Sequence, residues 1–219
     1  MKNIIKKLPA AGIFLSMLVG AIACKKSNYL TDGGTHDPHT TLSTYDYLKA
    51  NAYHEFDSTI MLIDHFSLKD SVNKAGTFFA FTDYAINLFM INNNLTSMQM
   101  LFDSTSSRFL TQYMFGSKDI ALGNVTNSTV EYPNWASDTV LSGVRKVEQS
   151  YLVFLTNSAP SYNYNVLQYV RINGVIDDSP GAPANDPVDT YLSCQTTGIL
   201  TSTGTTLHVL MNNALLRRL

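Results

Sequence analysis

Cysteine is nearly absent: only Cys24 and Cys194 occur in 219 residues. A scaffold of several disulfides is therefore excluded, and stability has to come from a hydrophobic core, which a chain of this length can build. Charge is scarce as well. Asp, Glu, Lys and Arg make up 15% of the chain, the formal net charge is −2, and no Lys/Arg cluster lies away from the ends. That balance excludes a strongly basic nucleic-acid binder, so no nucleic-acid partner is expected. Common catalytic patterns are missing: there is no G-x-S-x-G, no Walker-type glycine loop, no dinucleotide fingerprint and no H-E-x-x-H. Five histidines and two cysteines give little material for a metal site. The expectation is a non-catalytic protein, not an enzyme, with no catalytic residues, no cofactor and no metal.

What is present begins with a polarised N-terminal segment. Lys2, Lys6 and Lys7 make a positive region, and Leu8 to Ile22 is an apolar stretch of signal-peptide length, too short to span a membrane comfortably. It leads into Ala21-Ile22-Ala23-Cys24, which resembles a bacterial lipoprotein processing site. On that reading residues 1–23 are a signal peptide. Cys24 carries the lipid, and residues 24–40 are the lipidated cysteine plus a flexible tether, with Gly33-Gly34 and Asp37-Pro38 as breakers. Several acyl chains give firm membrane attachment where one is marginal. Only Cys194 then keeps a free thiol. The expected place is the cell envelope, as an outer-membrane lipoprotein exposed at the surface, with a periplasm-facing orientation left open.

Residues 41–219 read as one domain, helical first and β-rich later. Leu42 to Ala52 has Tyr45, Leu48 and Ala52 at helical spacing, and Phe56, Ile60 and Ile63 continue into a second helix. Thr77 to Phe81 is a dense run of β-formers, and Thr82 or Asp83 can cap the helix that follows. One or two more helices are expected within Leu95 to Met114. Short strands are expected at Asp119–Leu122, Val140–Leu141, Tyr151–Leu155, Val166–Ile172, Leu192–Gln195, Gly198–Leu200 and Thr206–Leu210. Asp177 to Asp189, with Pro180, Pro183 and Pro187, reads as an exposed loop.

Two segments carry a resemblance. Thr77 to Ile86 reads T-F-F-A-F-T-D-Y-A-I, and Thr201 to Leu215 reads T-S-T-G-T-T-L-H-V-L-M-N-N-A-L. Each is similar to one half of the signature of fasciclin-like domains: a strand of the form T-V-F-A-P-T running into a helix, and a closing strand of the form N-G-x-x-H-V-I-D-x-V-L. The matching positions in these segments are Thr77, Phe79, Thr82, Ala85, Gly204 and His208; outside them, Tyr113 resembles the tyrosine of a Tyr-His pair that often ends the family's helical region, and Asn173-Gly174 resembles the V-N-G step before its final strands. Phe81 replaces the family's proline, and Met114 stands where a histidine often follows the tyrosine. The resemblance implies an α+β fold, with short helices packed on a β-wedge or sandwich. It also implies adhesion to, or binding of, a protein or polysaccharide partner at the cell surface or matrix.

The remaining candidates are surface and buried groups. Trp135, Tyr162 and Tyr164 lie among Asn and Ser residues in the β-rich half and are the candidate binding surface, since aromatic faces beside amides suit sugar rings or a protein interface. His208, flanked by Leu207, Val209 and Leu210, reads first as a buried imidazole bonded to a backbone carbonyl and second as a pH-sensitive group. Cys194 reads as a buried thiol rather than a partner of His208. Asp64-His65 and His54-Glu55 read as surface charges, because adjacent helical residues point roughly 100° apart. His36 and His39 read as polar linker.

Overall fold

Four buried residues in a row, Thr77 to Ala80, three of them β-formers, make a strand covered on both faces, and the rest of the architecture is arranged around it. The computed structural model describes residues 38–118, 120–136, 140–152 and 161–217, with the backbone alone described for residues 151, 152, 161 and 162. Within them the helices are α1 (Thr44–Lys49), α2 (Asp57–His65), α3 (Lys69–Lys74), α4 (Asp83–Asn92), α5 (Met98–Ser104) and α6 (Arg108–Thr111). The strands are β1 (Thr77–Ala80), β2 (Met114–Phe115), β3 (Val130–Tyr132), β4 (Ser142–Leu152), β5 (Ser161–Arg171), β6 (Thr190–Leu200) and β7 (Thr206–Leu210). Helices thus dominate the first part and strands the second, a mixed α and β architecture. No helix among the described residues is long and apolar enough to cross a membrane.

The strands form one sheet in the order β2-β1-β7-β6-β5-β4-β3. Only β1 and β7 run parallel; the other neighbouring pairs are antiparallel. An isolated bridge between Phe115 and Asn134 joins the two ends of this order, so the sheet curls towards closure. β6 pairs with β5 through Thr190–Ser193 and then with β7 from Cys194 on, with register shifts at Cys194/Thr196 and Thr196/Ile199. These irregularities bend the strand from one neighbour to the next.

The core is aromatic. Phe79 packs edge-on against Phe115 and Tyr169, and Phe81 against Phe109 and Tyr113, with ring centroids between 5.3 and 5.8 Å apart. Each fully buried ring contributes on the order of 2–3 kcal/mol from area alone. α2 meets this core through Ile60, Leu62 and Ile63 with Thr59, whose hydroxyl donates to the Phe81 carbonyl at 2.6 Å.

Several sequence expectations need correction. α1 is shorter than Leu42–Ala52, because Ser43 caps it by accepting from the Asp46 N–H. Thr82 stands at the N-cap of α4 without capping it: its hydroxyl is spent on Asn212, and Asp83 accepts from the Ser58 N–H in α2 instead. The stretch at Asp119–Leu122 is no strand in its described part; Ala121 to Val125 turn, with the Asn124 and Val125 N–H groups on the Ala121 carbonyl. The strand expected at Val140–Leu141 begins at Ser142 and runs through Gly143, because pairing with β5 outweighs the local glycine. The strands at Leu192–Gln195 and Gly198–Leu200 are one bulged strand. Pro38 to Thr40, read as the end of a tether, bond to Leu200 on β6.

Candidate functional site

The two motif segments lie side by side. Thr77, Phe78, Phe79 and Ala80 pair in parallel with Thr206, Leu207, His208 and Val209. Where both strands end, the Thr82 hydroxyl donates to Asn212 Oδ1 at 2.8 Å. Thr77 is buried and donates to the Ser117 carbonyl at 2.7 Å, and Ala85 is buried on the inner face of α4. Tyr113 packs against Phe81 and Tyr169, and Met114 beside it is fully buried. Gly204 sits at positive φ in the turn before β7, where its N–H bonds the Thr201 carbonyl.

His208 is completely buried on β7. Its Nε2 bonds the Ile120 carbonyl at 2.7 Å, and its Nδ1 accepts the Gly198 N–H at 3.2 Å. Those two partners fix the neutral tautomer with hydrogen on Nε2. Burial pushes the imidazole down to about 4, against a weaker upward pull from the Ile120 carbonyl. Cys194 is buried opposite Leu210, and burial pushes its thiol well up. Both groups are therefore uncharged at neutral pH, and no bond joins them among those described. The other His/acid pairs separate as well. Asp64 accepts from the Tyr45 hydroxyl, His65 stacks on Phe102 at 4.1 Å, and His54 meets Asp57 in the open at 3.3 Å. Among the described residues no group of three or more His, Cys, Asp or Glu could hold a metal ion.

The aromatic candidates do not form one surface. Trp135 follows Asn134 beside β2, its backbone N–H on the Thr111 and Met114 carbonyls, and the residue is 39% exposed. Tyr164 is on β5 opposite Gln149 and is 48% exposed. Tyr132, three residues before Trp135, pairs with Ser142, and from Ser142 to Gln149 is about 24 Å of strand. Tyr162 pairs through its backbone with Tyr151; its side chain lies outside the described set, as does Cys24.

Tyr164 belongs to an arm that the sequence conceals. β4 and β5 pair along eleven positions, from Ser142–Arg171 to Leu152–Ser161, while β3 and β6 flank only the inner part. Beyond Val147 the ribbon's described side chains are solvent-exposed, and they are linked across the strands. The Tyr164 hydroxyl donates to Gln149 Oε1 at 2.9 Å, and the Ser150 hydroxyl donates to Asn163 Oδ1 at 2.7 Å. Gln149 and Ser150 are thus partners of Tyr164 and Asn163 that the sequence reading misses, because cross-strand neighbours are invisible without the register.

The Asp177–Asp189 loop is built on carboxylates rather than simply exposed. Asp189 is buried; it accepts the Asn173 N–H at 2.8 Å and the Asp177 N–H at 3.0 Å. Asp186 accepts the Val175 N–H at 2.8 Å and lies against Gly174, which holds a φ of +88°. Asn173 and Gly174 from the motif thus shape this loop. A cleft of about 400 Å³ lies elsewhere, between Phe89, Asn92 and Asn93 of α4 and its end and Leu215 to Arg217. One of about 200 Å³ lies on the β6 side of Leu215. No protein-family model and no curated protein matches the chain.

Proposed function

We propose that this chain is a lipid-anchored extracytoplasmic protein whose fasciclin-like domain binds a partner at the cell surface or matrix, without catalysis. The observation that carries the reading is the parallel pairing of Thr77–Ala80 with Thr206–Val209, knotted at its end by Thr82 and Asn212. Two segments about 120 residues apart, chosen from the sequence for their likeness to one family, become neighbours in the sheet with Phe79 against His208. The buried groups with catalytic side-chain chemistry, His208 and Cys194, are held neutral and enclosed, which favours a binding role over turnover. The lipid at Cys24 would set the domain at a membrane surface, so that its partner is met there.

A second reading, capture of a polysaccharide, is favoured by Tyr164. An exposed ring whose hydroxyl is fixed by the Gln149 amide offers an apolar platform with a hydrogen-bonding group beside it, while the Ser150–Asn163 pair presents polar groups on the ribbon's other face.

Surface proteolysis of intact cells tests the first reading. Wild-type protein should be digested, and Cys24→Ser should leave the membrane fraction. Protection in intact cells would exclude external adhesion. Retention on insoluble polysaccharide, lost in Tyr164→Ala with the fold intact, would select the second reading.

A further inference from the structure

The sheet protects its edges unequally. β2 and β3 are only two and three residues long and are tied together by the Phe115–Asn134 bridge. The outer edge of β4 carries Lys146 and Glu148, and its Lys146 N–H is already bonded to the Thr126 carbonyl at 2.8 Å. Short strands, edge charges and covering loops are the usual means of blocking strand addition. The outer part of β5 has none of them among the described residues. It reads Ser161-Tyr162-Asn163-Tyr164-Asn165-Val166, without charge, proline or glycine. Its pairing to β6 begins only at Gln168, so among the described residues it has, up to Val166, a strand partner on the β4 side alone.

The direction of its remaining backbone groups follows from the register. Lys146 points its N–H away from β5, so on β4 the even residues face outward and the odd ones face β5. Their partners Gln168, Val166 and Tyr164 face β4, which leaves the N–H and C=O groups of Asn163 and Asn165 pointing out.

We infer that this edge is a strand-addition site for a second copy of the same chain, the two β5 strands pairing antiparallel about Asn163. The segment suits its own copy because it is uncharged, so identical strands meet at a two-fold axis with no like-charge repulsion. In the register centred on Asn163 each Asn163 exchanges both backbone bonds with its counterpart, and Asn165 meets residue 161. A two-stranded ribbon standing in water is marginal alone, and the added strands turn two ribbons into a four-stranded sheet. The inference rests on strand edges and composition and does not depend on the family resemblance.

Cross-linking tests it in the purified full chain carrying Cys24→Ser, where the remaining Cys194 is buried. Cα atoms directly opposite in a hydrogen-bonded pair lie about 5.5 Å apart, within disulfide range. Asn163→Cys should form an oxidised dimer on a non-reducing gel, and Glu148→Cys on the opposite edge should not. Light scattering on Asn163→Lys and Asn163→Glu, each alone, should show self-association about tenfold weaker, with an equal mixture of the two restored to the parent level. Circular dichroism controls for folding, since only the exposed bond to Ser150 is lost. A parent chain that stays monomeric, equal cross-linking from both edges, or unchanged association of Asn163→Lys would each overturn the inference.

Discussion

Phe79 and His208 face each other across parallel strands β1 and β7, their ring centroids 4.8 Å apart. The contact joins the two segments that the sequence singles out, and it leaves the imidazole no water. His208 is thereby a structural group whose polar needs are met by Ile120 and Gly198.

Its titration should be visible in the stability of the fold. The folded imidazole is depressed to about 4 from an ordinary 6.5, so the unfolded chain takes up this proton first as pH falls. The stability linked to His208 is therefore complete above pH 6.5 and is lost as the pH falls towards 4, by up to roughly 3 kcal/mol. Urea unfolding measured at intervals across that window should show the decline. His208→Phe strands the Ile120 carbonyl and the Gly198 N–H, should cost about 3 kcal/mol at neutral pH, and should flatten this part of the profile.

The Thr82–Asn212 bond should behave as a coupled pair. Thr82 is fully buried and Asn212 is exposed, so Thr82→Val leaves the amide able to turn to water while losing the link. Thr82→Val and Asn212→Ala should each cost about 1 kcal/mol, and the double variant clearly less than their sum. Additive losses in chemical denaturation would mean that the bond ties nothing together.

These two sites also divide what the sequence reveals from what it hides. Thr77–Ala80 and Thr206–Leu210 are legible because dense β-formers mark buried strands whatever surrounds them. β4 is not: S-G-V-R-K-V-E-Q-S-Y-L holds a glycine and three charges, and it is a strand because β5 pairs with all of it. Thr82 looks like a helix cap by position, yet a residue 130 places away takes its hydroxyl. The aromatic surface fails to assemble for the same reason. Trp135 and Tyr164 have similar neighbours in sequence, and strand register places them at different levels of the sheet.

Two glycines in the long loop separate backbone strain from collision. Gly174 and Gly181 hold nearly equal φ values of +88° and +86°. A Cβ at Gly174 would fall 2.5 Å from the Asp186 carboxylate, while one at Gly181 meets nothing within 4 Å. Gly181→Ala should cost about 1 kcal/mol, the strain alone, and Gly174→Ala about 1–2 kcal/mol more. Equal losses in thermal unfolding would show that the Asp186 side chain moves aside freely.

Asp189 should decide whether that loop stays closed. Its two oxygens accept the N–H groups of Asn173 and Asp177, and Asp177 returns the interaction by accepting the Asp189 N–H at 3.0 Å. Charge-assisted bonds of this kind are worth about 1.5–3 kcal/mol each, and truncation leaves two N–H groups without their acceptor. None of the three residues belongs to the aromatic core, so the loss should open residues 173–189 locally while the core stays folded. In Asp189→Ala, limited proteolysis should cut within this loop at least about tenfold faster than in the parent, with the near-ultraviolet signal of the packed aromatic rings unchanged. Asp189→Asn keeps one acceptor oxygen and should fall between the two. Cleavage at the parent's rate in Asp189→Ala would mean that the prolines and the Asp186 contacts hold the loop without Asp189.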